Sequence, residues 1–191
     1  MAYKPRDERP GFHHVVTRGN NKQRIFLNDI DRREFLAILA QVARRYGWNL
    51  YAYCLMRNHY HLVMEIDERG LSRGMCELNT AYALTFNTRH RRINHLFGKR
   101  FWNEYLADDR RLLNAVRYVV QNPRRAGRQG PLERYAWSSY AATIGMALSF
   151  AQLATGEVLA LFGSRRERAV RSFVEFCGEP VVAGPVQRQP P

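Results

Sequence analysis

The chain has 191 residues, of which 46% are hydrophobic and 25% charged, a composition typical of globular proteins rather than disordered or fibrous ones. Arg and Lys outnumber Asp and Glu by 30 to 17, and the resulting net charge of +13 predicts a polyanionic partner, most often nucleic acid. Three cysteines without a CxxC pair argue against a disulfide framework or a zinc ribbon, and they favour a reducing cytoplasm. No apolar run reaches the roughly 18 residues of a membrane span and no secretory signal is visible, so we expect no membrane association.

The positive charge is concentrated in one part of the chain. Residues 89–128 carry eleven Arg and Lys against three Asp and Glu, a net +8. A general preference for arginine would not produce this clustering. The pattern therefore predicts a nucleic-acid surface, with a merely solvated basic surface as the alternative.

Apolar periodicity predicts the order β-α-β-β-α-β-α, followed by further amphipathic segments. We expect Asp29 or Asp31 to cap the first helix and Gly47 to end it. The predicted strands cover 13–18, 48–56, 59–66 and 100–106, and the predicted helices cover 31–46, 71–89 and the stretch from Asp108-Asp109 to Pro123. Amphipathic segments follow near 137–144, 151–162 and 165–177.

The first six elements predict an α+β fold of the ferredoxin-like, split β-α-β type, in which an antiparallel sheet carries its helices on one face. We divide the chain into a domain over residues 1–148 and a helical C-terminal extension over 149–178. The proline-rich residues 179–191 are predicted to be a disordered tail.

A His-x-His pattern lies on the third predicted strand, in the stretch Met56–Val63. Because side chains alternate along a strand, His59 and His61 share a face and Tyr60 points to the other. Two neutral imidazoles can hold one divalent ion if a third ligand comes from another element. By itself, the pattern is more typical of two partly exposed histidines of a sheet than of a metal site.

A second candidate group lies at the end of the third predicted helix. Tyr118 and Asn122 are four residues apart and therefore share a helix face. The amide oxygen of Asn122 could be a metal ligand one turn from a phenol. Taken alone, Tyr118 is more typical of a core edge, and an Asn before a Pro is more typical of a turn.

The segment Trp137-Ser138-Ser139-Tyr140 allows two interpretations. It could be a platform on which bases stack. We favour a structural interpretation, in which these aromatic residues dock a helix onto the core. The serines have no recognisable His or Asp partners, so a serine nucleophile has little support.

Together these stretches resemble the REP-associated tyrosine transposase branch of the single-tyrosine HUH transposases. Met56–Val63 resembles the HUH motif, and Tyr118–Gly127 resembles the tyrosine-bearing helix. Val16–Asn20 and Trp137–Tyr140 also resemble that branch. The resemblance covers about residues 10–145, and the order and spacing of four motifs make it specific.

The resemblance implies roles for particular positions. His59 and His61 would hold Mg²⁺ or Mn²⁺, and Tyr118 would be the nucleophile. Asn122 stands where the family places a third ligand, often Gln, and it is one methylene shorter. The family commonly has Pro where this chain has Arg57, a departure that affects the turn more than the chemistry. The implied fold is the ferredoxin-like sheet.

The resemblance also implies the substrate, single-stranded DNA folded into the hairpin of a repetitive extragenic palindrome. We therefore expect a metal-dependent endonuclease and strand transferase that forms a 5′-phosphotyrosine. The alternative is a non-catalytic protein that binds structured DNA or RNA with a remnant of this site. We expect a monomer, with a homodimer as the alternative, in the cytoplasm with the nucleoid. The candidate DNA contacts are Arg18, Asn20, Lys99, Arg100, Trp102, Arg110, Arg111, Arg124 and Arg125.

Overall fold

The computed structural model describes residues 6–178, which form a four-stranded antiparallel sheet with helices on both faces. The strands lie in the order β2-β3-β1-β4. The strands are β1 (Gly11–Arg18), β2 (Asn49–Met56), β3 (His59–Ile66) and β4 (Trp102–Leu106). The helices are α1 (Asp29–Tyr46), α2 (Leu71–Arg89), α3 (Asp109–Val120), α4 (Asn122–Arg125), α5 (Tyr140–Thr143), α6 (Thr155–Ala160) and α7 (Arg166–Gly178).

The order β1-α1-β2-β3-α2-β4 with this pairing is the split β-α-β plan, so the predicted ferredoxin-like fold is confirmed. The observed β3 and α2 have the predicted bounds. Two single-turn 3₁₀ helices, Asn20–Lys22 and Leu132–Arg134, lie in the connections.

Helix α1 begins and ends at residues whose chemistry fixes its bounds. The side chain of Asn28 accepts a hydrogen bond from the Asp31 backbone N–H, and the Asp31 side chain accepts one from the Asn28 backbone in return. Asn28 is therefore the capping residue, and the prediction of Asp29 or Asp31 in that role is wrong. Asp31 is instead the reciprocal partner in a capping box. Gly47 ends the helix with φ 63°, which favours glycine.

One hydrophobic core lies between the sheet and the pair α1 and α2. Apolar side chains from alternate positions of the strands, such as Leu62 and Met64, pack against Phe35 and Leu39 of α1. The buried residues of α2 are Leu71, Gly74, Met75, Leu78, Tyr82 and Phe86. Helices α1 and α2 thus occupy one face of the sheet, as the split β-α-β plan requires.

A second core lies on the opposite face, where α3 packs with the C-terminal helices. Val63 and Cys54 of the strands contact this core together with Val116 and Val119 of α3 and Phe173 of α7. The element order alone does not say which face α3 covers. Its position matters because it brings the end of α3 over the strands that carry the histidines.

The outer edge of β2 is covered by a returning segment. The Leu55 N–H donates to the Trp137 carbonyl at 2.8 Å, and the Ser139 N–H donates to the Tyr53 carbonyl at 3.0 Å. The Ser139 hydroxyl oxygen also accepts from the Tyr53 N–H at 3.1 Å. The segment Trp137–Tyr140 therefore docks onto the core, which confirms the structural interpretation of this motif and satisfies an otherwise open strand edge.

The C-terminal extension packs onto the same core. The Gln121 side chain donates to the Cys177 carbonyl at 2.6 Å, and the guanidinium of Arg117 lies 4.3 Å from the Phe176 ring. The division at residue 148 remains a prediction, and the predicted tail, 179–191, lies outside the described residues. None of the helices within residues 6–178 is long and apolar enough to cross a membrane.

Candidate active site

The pleat of β3 places two imidazoles on the face covered by α3. His61 is buried and His59 half-buried, with ring centroids 5.0 Å apart. Tyr60 between them points to the α1 and α2 side, where its hydroxyl donates to the Asn79 side chain at 2.7 Å. The predicted alternation of this motif is therefore confirmed.

Each of these histidines has one ring nitrogen engaged by a neighbour. His59 Nδ1 lies 2.7 Å from the Asn58 side-chain oxygen, and His61 Nδ1 lies 3.0 Å from His14 Nε2. Because the Asn58 oxygen can only accept, His59 Nδ1 carries the proton and its Nε2 keeps a lone pair. A hydrogen bond of this kind on the second ring nitrogen is the usual arrangement for metal-binding histidines.

Burial keeps these imidazoles neutral. Removal from water lowers the pKa of His59 to about 4, with a further contribution from the nearby charge of Arg18. Burial lowers the pKa of His61 well below its usual value, and His14 and His59 lower it further. The neutral form is the one that binds metal. The donor set thus fits a divalent ion that accepts nitrogen ligands.

Tyr118 lies against this histidine cluster. Its ring centroid is 5.8 Å from the His61 ring and 5.8 Å from the His14 ring. The side chain is 2% exposed because the apolar face of α3 packs on the sheet. The guanidinium of Arg125 lies 4.8 Å from the centre of the Tyr118 ring. The structure therefore brings together the tyrosine and the histidines that the sequence singles out.

Asn122 lies one helical turn beyond Tyr118 and is also buried. Its side-chain nitrogen donates to the backbone carbonyls of Tyr118 and Val119, at 3.0 and 3.4 Å. These bonds hold the amide against its own helix and leave the oxygen Oδ1 as its acceptor atom. No group of three or more His, Cys, Asp or Glu suited to a metal ion occurs within residues 6–178, so a third protein ligand there would be of another type.

The predicted DNA contacts around the end of β1 and the start of β4 converge on a single cavity of about 480 Å³. We call it the β4 cleft, and it is lined by Arg18, Asn20, Lys99, Arg100 and Trp102 among others. The Trp102 ring also contacts the His14 ring, with centroids 5.5 Å apart. The cleft therefore adjoins the histidine cluster, and among residues 6–178 four cationic side chains and no carboxylate line it.

A family model described as "Transposase IS200 like" matches residues 12–119, which is more than half of the chain. The chain belongs to the IS200-like transposase family. The match includes His59, His61 and Tyr118, and it confirms the family recognised from the sequence motifs.

Two individual proteins are similar to this IS200-like transposase. A Haemophilus influenzae protein named as a REP-associated tyrosine transposase is 24% identical over 118 residues, which cover 56% of this chain and 67% of that protein. The solved structure of a REP-associated tyrosine transposase bound to a REP hairpin superposes with a TM-score of 0.64 at 14% identity. It covers 86% of this chain and 98% of the other, and this likeness shows a common fold.

One residue of the site escaped the sequence analysis of this IS200-like transposase. His14 of β1 is buried between His61, Tyr118 and Trp102, and its ring stacks on that of His61 with centroids 5.3 Å apart. The feature of the sequence that could have pointed to His14 is its position in a predicted strand. The alternation of the strand separates His13 from His14, but it does not say which of the two faces β3.

The other predicted DNA contacts lie in two places. Arg124 and Arg125 are exposed on α4, directly after Asn122. Arg110 and Arg111 are exposed in the first turn of α3, eight and seven residues before Tyr118, so they lie roughly 10–12 Å along the helix axis from it. Arg111 is engaged with Glu104 at 3.7 Å. The structure therefore does not bring Arg110 and Arg111 to the histidines.

The turn that precedes His59 is bound to the loop that follows β1. The Asn58 carbonyl accepts from the Gly19 N–H at 2.9 Å, and the Arg57 carbonyl accepts from the N–H groups of Ile25 and Phe26 at 2.9 and 3.2 Å. In this IS200-like transposase, these bonds thus fix the position of the loop after β1, which lines the β4 cleft, relative to the start of β3.

Proposed function

We propose that this transposase is a metal-dependent, single-stranded DNA endonuclease and strand transferase that acts on repeat-derived hairpins. The observation that carries the proposal is the contact of the Tyr118 ring with the His61 and His14 rings, at 5.8 Å each. Of these two neutral imidazoles, His61 is a proposed metal ligand and His14 is its hydrogen-bond partner. The contact therefore places a candidate nucleophile beside a proposed cation site, a combination suited to nucleophilic cleavage of a phosphodiester.

The residues that would hold the metal ion are His59 and His61 through their Nε2 atoms and Asn122 through its Oδ1. When bound, a divalent ion polarises a non-bridging oxygen of the phosphate and offsets the charge of the transition state. Imidazole ligands suit Mn²⁺ better than Mg²⁺, which prefers an all-oxygen environment. We therefore expect Mn²⁺ to support the activity at lower concentration than Mg²⁺.

Tyr118 Oη would attack the scissile phosphorus. The bond between Oη and phosphorus forms, the bond between phosphorus and the 3′ oxygen breaks, and the phenolic proton is transferred through water to the departing 3′ oxygen. The products are a 5′-phosphotyrosine and a free 3′-OH. Because one phosphodiester replaces another, a second 3′-OH can reverse the step and join a new strand without ATP.

Arg125 and the surrounding protein prepare the nucleophile. The guanidinium over the Tyr118 ring and the packing of α3 hold the ring against the histidines. Burial of the site on α3 excludes much of the water that would compete with Tyr118 for the phosphorus.

Single-stranded hairpin DNA is the proposed substrate because the basic β4 cleft adjoins the site and carries an aromatic side chain, Trp102. Arginine and lysine contact phosphates, and aromatic rings stack on unpaired bases. Two similar proteins bear the name REP-associated tyrosine transposase, and one of them was solved with a REP hairpin.

The test is a covalent adduct. The full chain is incubated with Mn²⁺ and a labelled single-stranded oligonucleotide that folds into a palindromic hairpin, and the mixture is resolved under denaturing conditions. We expect a labelled protein band that is lost with Tyr118→Phe and with EDTA. Hairpin binding without any such band, across metals and hairpins, would instead favour a non-catalytic protein with a remnant site.

A further inference from the structure

A second basic cavity, of about 570 Å³, opens at the end of β2. We call it the β2 cleft. Its walls come from the start of α1, the turn between β2 and β3, α4, and the chain that leads to Trp137. Within the described part of the chain, its lining includes four arginines, Arg32, Arg57, Arg128 and Arg134, and one carboxylate, Asp29, which pairs with Arg32 at 3.2 Å.

Most of the positive charge in the β2 cleft is uncompensated. Arg57, Arg128 and Arg134 are exposed and form no ion pair within residues 6–178. The Nε of Arg32 is buried and has no hydrogen-bond partner in the described part of the chain, whereas its Nη1 bonds to Asn28 and Asp29. A cavity of this kind attracts an anionic ligand.

Aromatic rings form the inner wall of the β2 cleft. The guanidinium of Arg32 lies 5.4 Å from the Trp137 ring, and that of Arg128 lies 5.0 Å from the Tyr135 ring. Both aromatic residues are fixed to β2, since the Tyr135 hydroxyl donates to the Leu55 carbonyl at 2.7 Å and the Trp137 carbonyl accepts from Leu55 N–H. Rigid aromatic rings beside cations are the combination that binds single-stranded nucleic acid.

The strand order places the histidines between the two clefts. At this end of the sheet, His59 of β3 is paired with Met56 of β2 on one side and with Arg18 of β1 on the other. Met56 lines the β2 cleft and Arg18 lines the β4 cleft. Neighbouring strands are about 4.8 Å apart, so each cleft begins roughly one strand away from the histidines.

Helix α4 connects the β2 cleft to the nucleophile. Pro123 lines the cleft and directly follows Asn122, whose side chain is bonded to the Tyr118 carbonyl. A strand with its scissile phosphate at Tyr118 would therefore have the β4 cleft on one side and the β2 cleft on the other.

We propose that the β2 cleft binds a single-stranded DNA flank on the side of the scissile phosphate opposite to the flank in the β4 cleft. The inference rests on the proposed function. The ligand is a sugar-phosphate chain with unpaired bases, because the cleft combines uncompensated arginines with the partly exposed ring of Trp137. Its volume is that of a small-molecule pocket, which accommodates a nucleotide or two and not a duplex.

The experiment compares two matched double variants with trimmed substrates. Arg57→Gln with Arg134→Gln removes two exposed charges from the β2 cleft, and Lys22→Gln with Lys99→Gln removes two from the β4 cleft. Arg33→Gln with Arg44→Gln, on the exposed face of α1, controls for net charge. Affinity is measured in the Tyr118→Phe background for a labelled hairpin oligonucleotide and for versions lacking one or the other flank.

We expect each cleft variant to bind the intact oligonucleotide several-fold more weakly than the α1 control. Log affinity falls as log salt rises, and this negative slope should become shallower by about 1.4 when two phosphate contacts to a single strand are lost. On the oligonucleotide that lacks the flank bound by the altered cleft, each cleft variant should have the same affinity as the α1 control. Circular dichroism melting of all variants confirms that they are folded.

Two outcomes would overturn the inference. In one, the β2 variant binds like the α1 control or loses affinity equally on both trimmed substrates. In the other, its defect disappears only when the hairpin stem is removed, which would mean that the cleft holds duplex. Binding is measured in the Tyr118→Phe background and does not depend on cleavage. A missing covalent adduct in wild-type protein would therefore refute the proposed cleavage without changing the outcome of the binding experiment.

Discussion

His14 Nε2 lies 3.0 Å from His61 Nδ1, and the two rings stack at an interplanar angle of 19°. Both side chains are buried, and the other ring nitrogen of His14, Nδ1, has no hydrogen-bond partner among residues 6–178. The pair therefore joins β1 to β3 at the site. If His61 donates this bond, its Nε2 is left with the lone pair that a metal ion needs.

We expect His14→Phe to weaken Mn²⁺ binding about 10- to 100-fold, because it keeps an aromatic ring at the stacked position and removes the partner of His61 Nδ1. Titration of Mn²⁺ followed by electron paramagnetic resonance measures the affinity without DNA. His95→Gln, which replaces an exposed histidine, is the matched control. Equal affinity in wild type and His14→Phe would contradict the role assigned to this bond.

Asn122 offers a test of the proposed third ligand. We expect Asn122→Leu to reduce covalent adduct formation more than tenfold, in line with losses seen around metal sites. Asn122→Gln keeps an amide oxygen and should retain much more of the rate, although its longer side chain must repack against the Tyr118 carbonyl. The rate of adduct formation of both variants is measured from the adduct yield over time at saturating DNA. If Asn122→Leu forms adduct at the wild-type rate, the amide is not a ligand.

Arg125 should affect the rate through the Tyr118 ring. A cation over an aromatic ring at an exposed position contributes about 0.5–1 kcal/mol, which corresponds to about a 2- to 5-fold lower rate of adduct formation for Arg125→Gln. Arg124→Gln removes the same charge from the neighbouring exposed position and is the control. Equal effects of both substitutions on the rate would indicate general charge loss rather than contact with Tyr118.

The buried histidines make stability depend on pH. Burial lowers the pKa of His14 to about 3 and of His59 to about 4, from 6.5. Between about pH 4 and 6.5 the unfolded chain therefore binds more protons than the folded one, and stability rises with pH. We expect the free energy of unfolding in EDTA to decrease as the pH falls from about 6.5 to 4. His14→Phe should make this slope shallower, whereas a slope unchanged by His14→Phe would count against the buried neutral state.

The close contact with Trp48 explains why position 74 of α2 is a glycine. A Cβ at this position would collide with the ring atoms Cζ2 and Cη2 of Trp48, which is fully buried. We expect Gly74→Ala to lower the free energy of unfolding by about 1–3 kcal/mol despite the better helix propensity of alanine. Gly156→Ala in α6 meets no neighbour within 4 Å and should instead gain up to about 1 kcal/mol. Urea unfolding compares the two, and a stabilised Gly74→Ala would refute the packing argument.

Local periodicity was sufficient to predict β3, α2 and the common face of His59 and His61, because these properties depend on neighbouring residues. The convergence of Tyr118 on the histidines came from the family resemblance, since nothing in the spacing says that α3 covers that face. His14 was missed because a buried polar residue of a strand has no local pattern of its own. The β2 cleft was missed because its arginines come from four separate segments, which only the tertiary fold brings together.

The backbone bonds from Gly19, Ile25 and Phe26 to the carbonyls of Asn58 and Arg57 have a practical consequence for retargeting. Any redesign that changes the path of the loop after β1 to recognise another nucleotide sequence would also displace the residue directly before His59. Under the proposed function, nucleotide selectivity and catalysis would therefore depend on the same backbone contacts. Altered-specificity libraries should randomise side chains such as Asn20 while preserving loop length and these three amide donors.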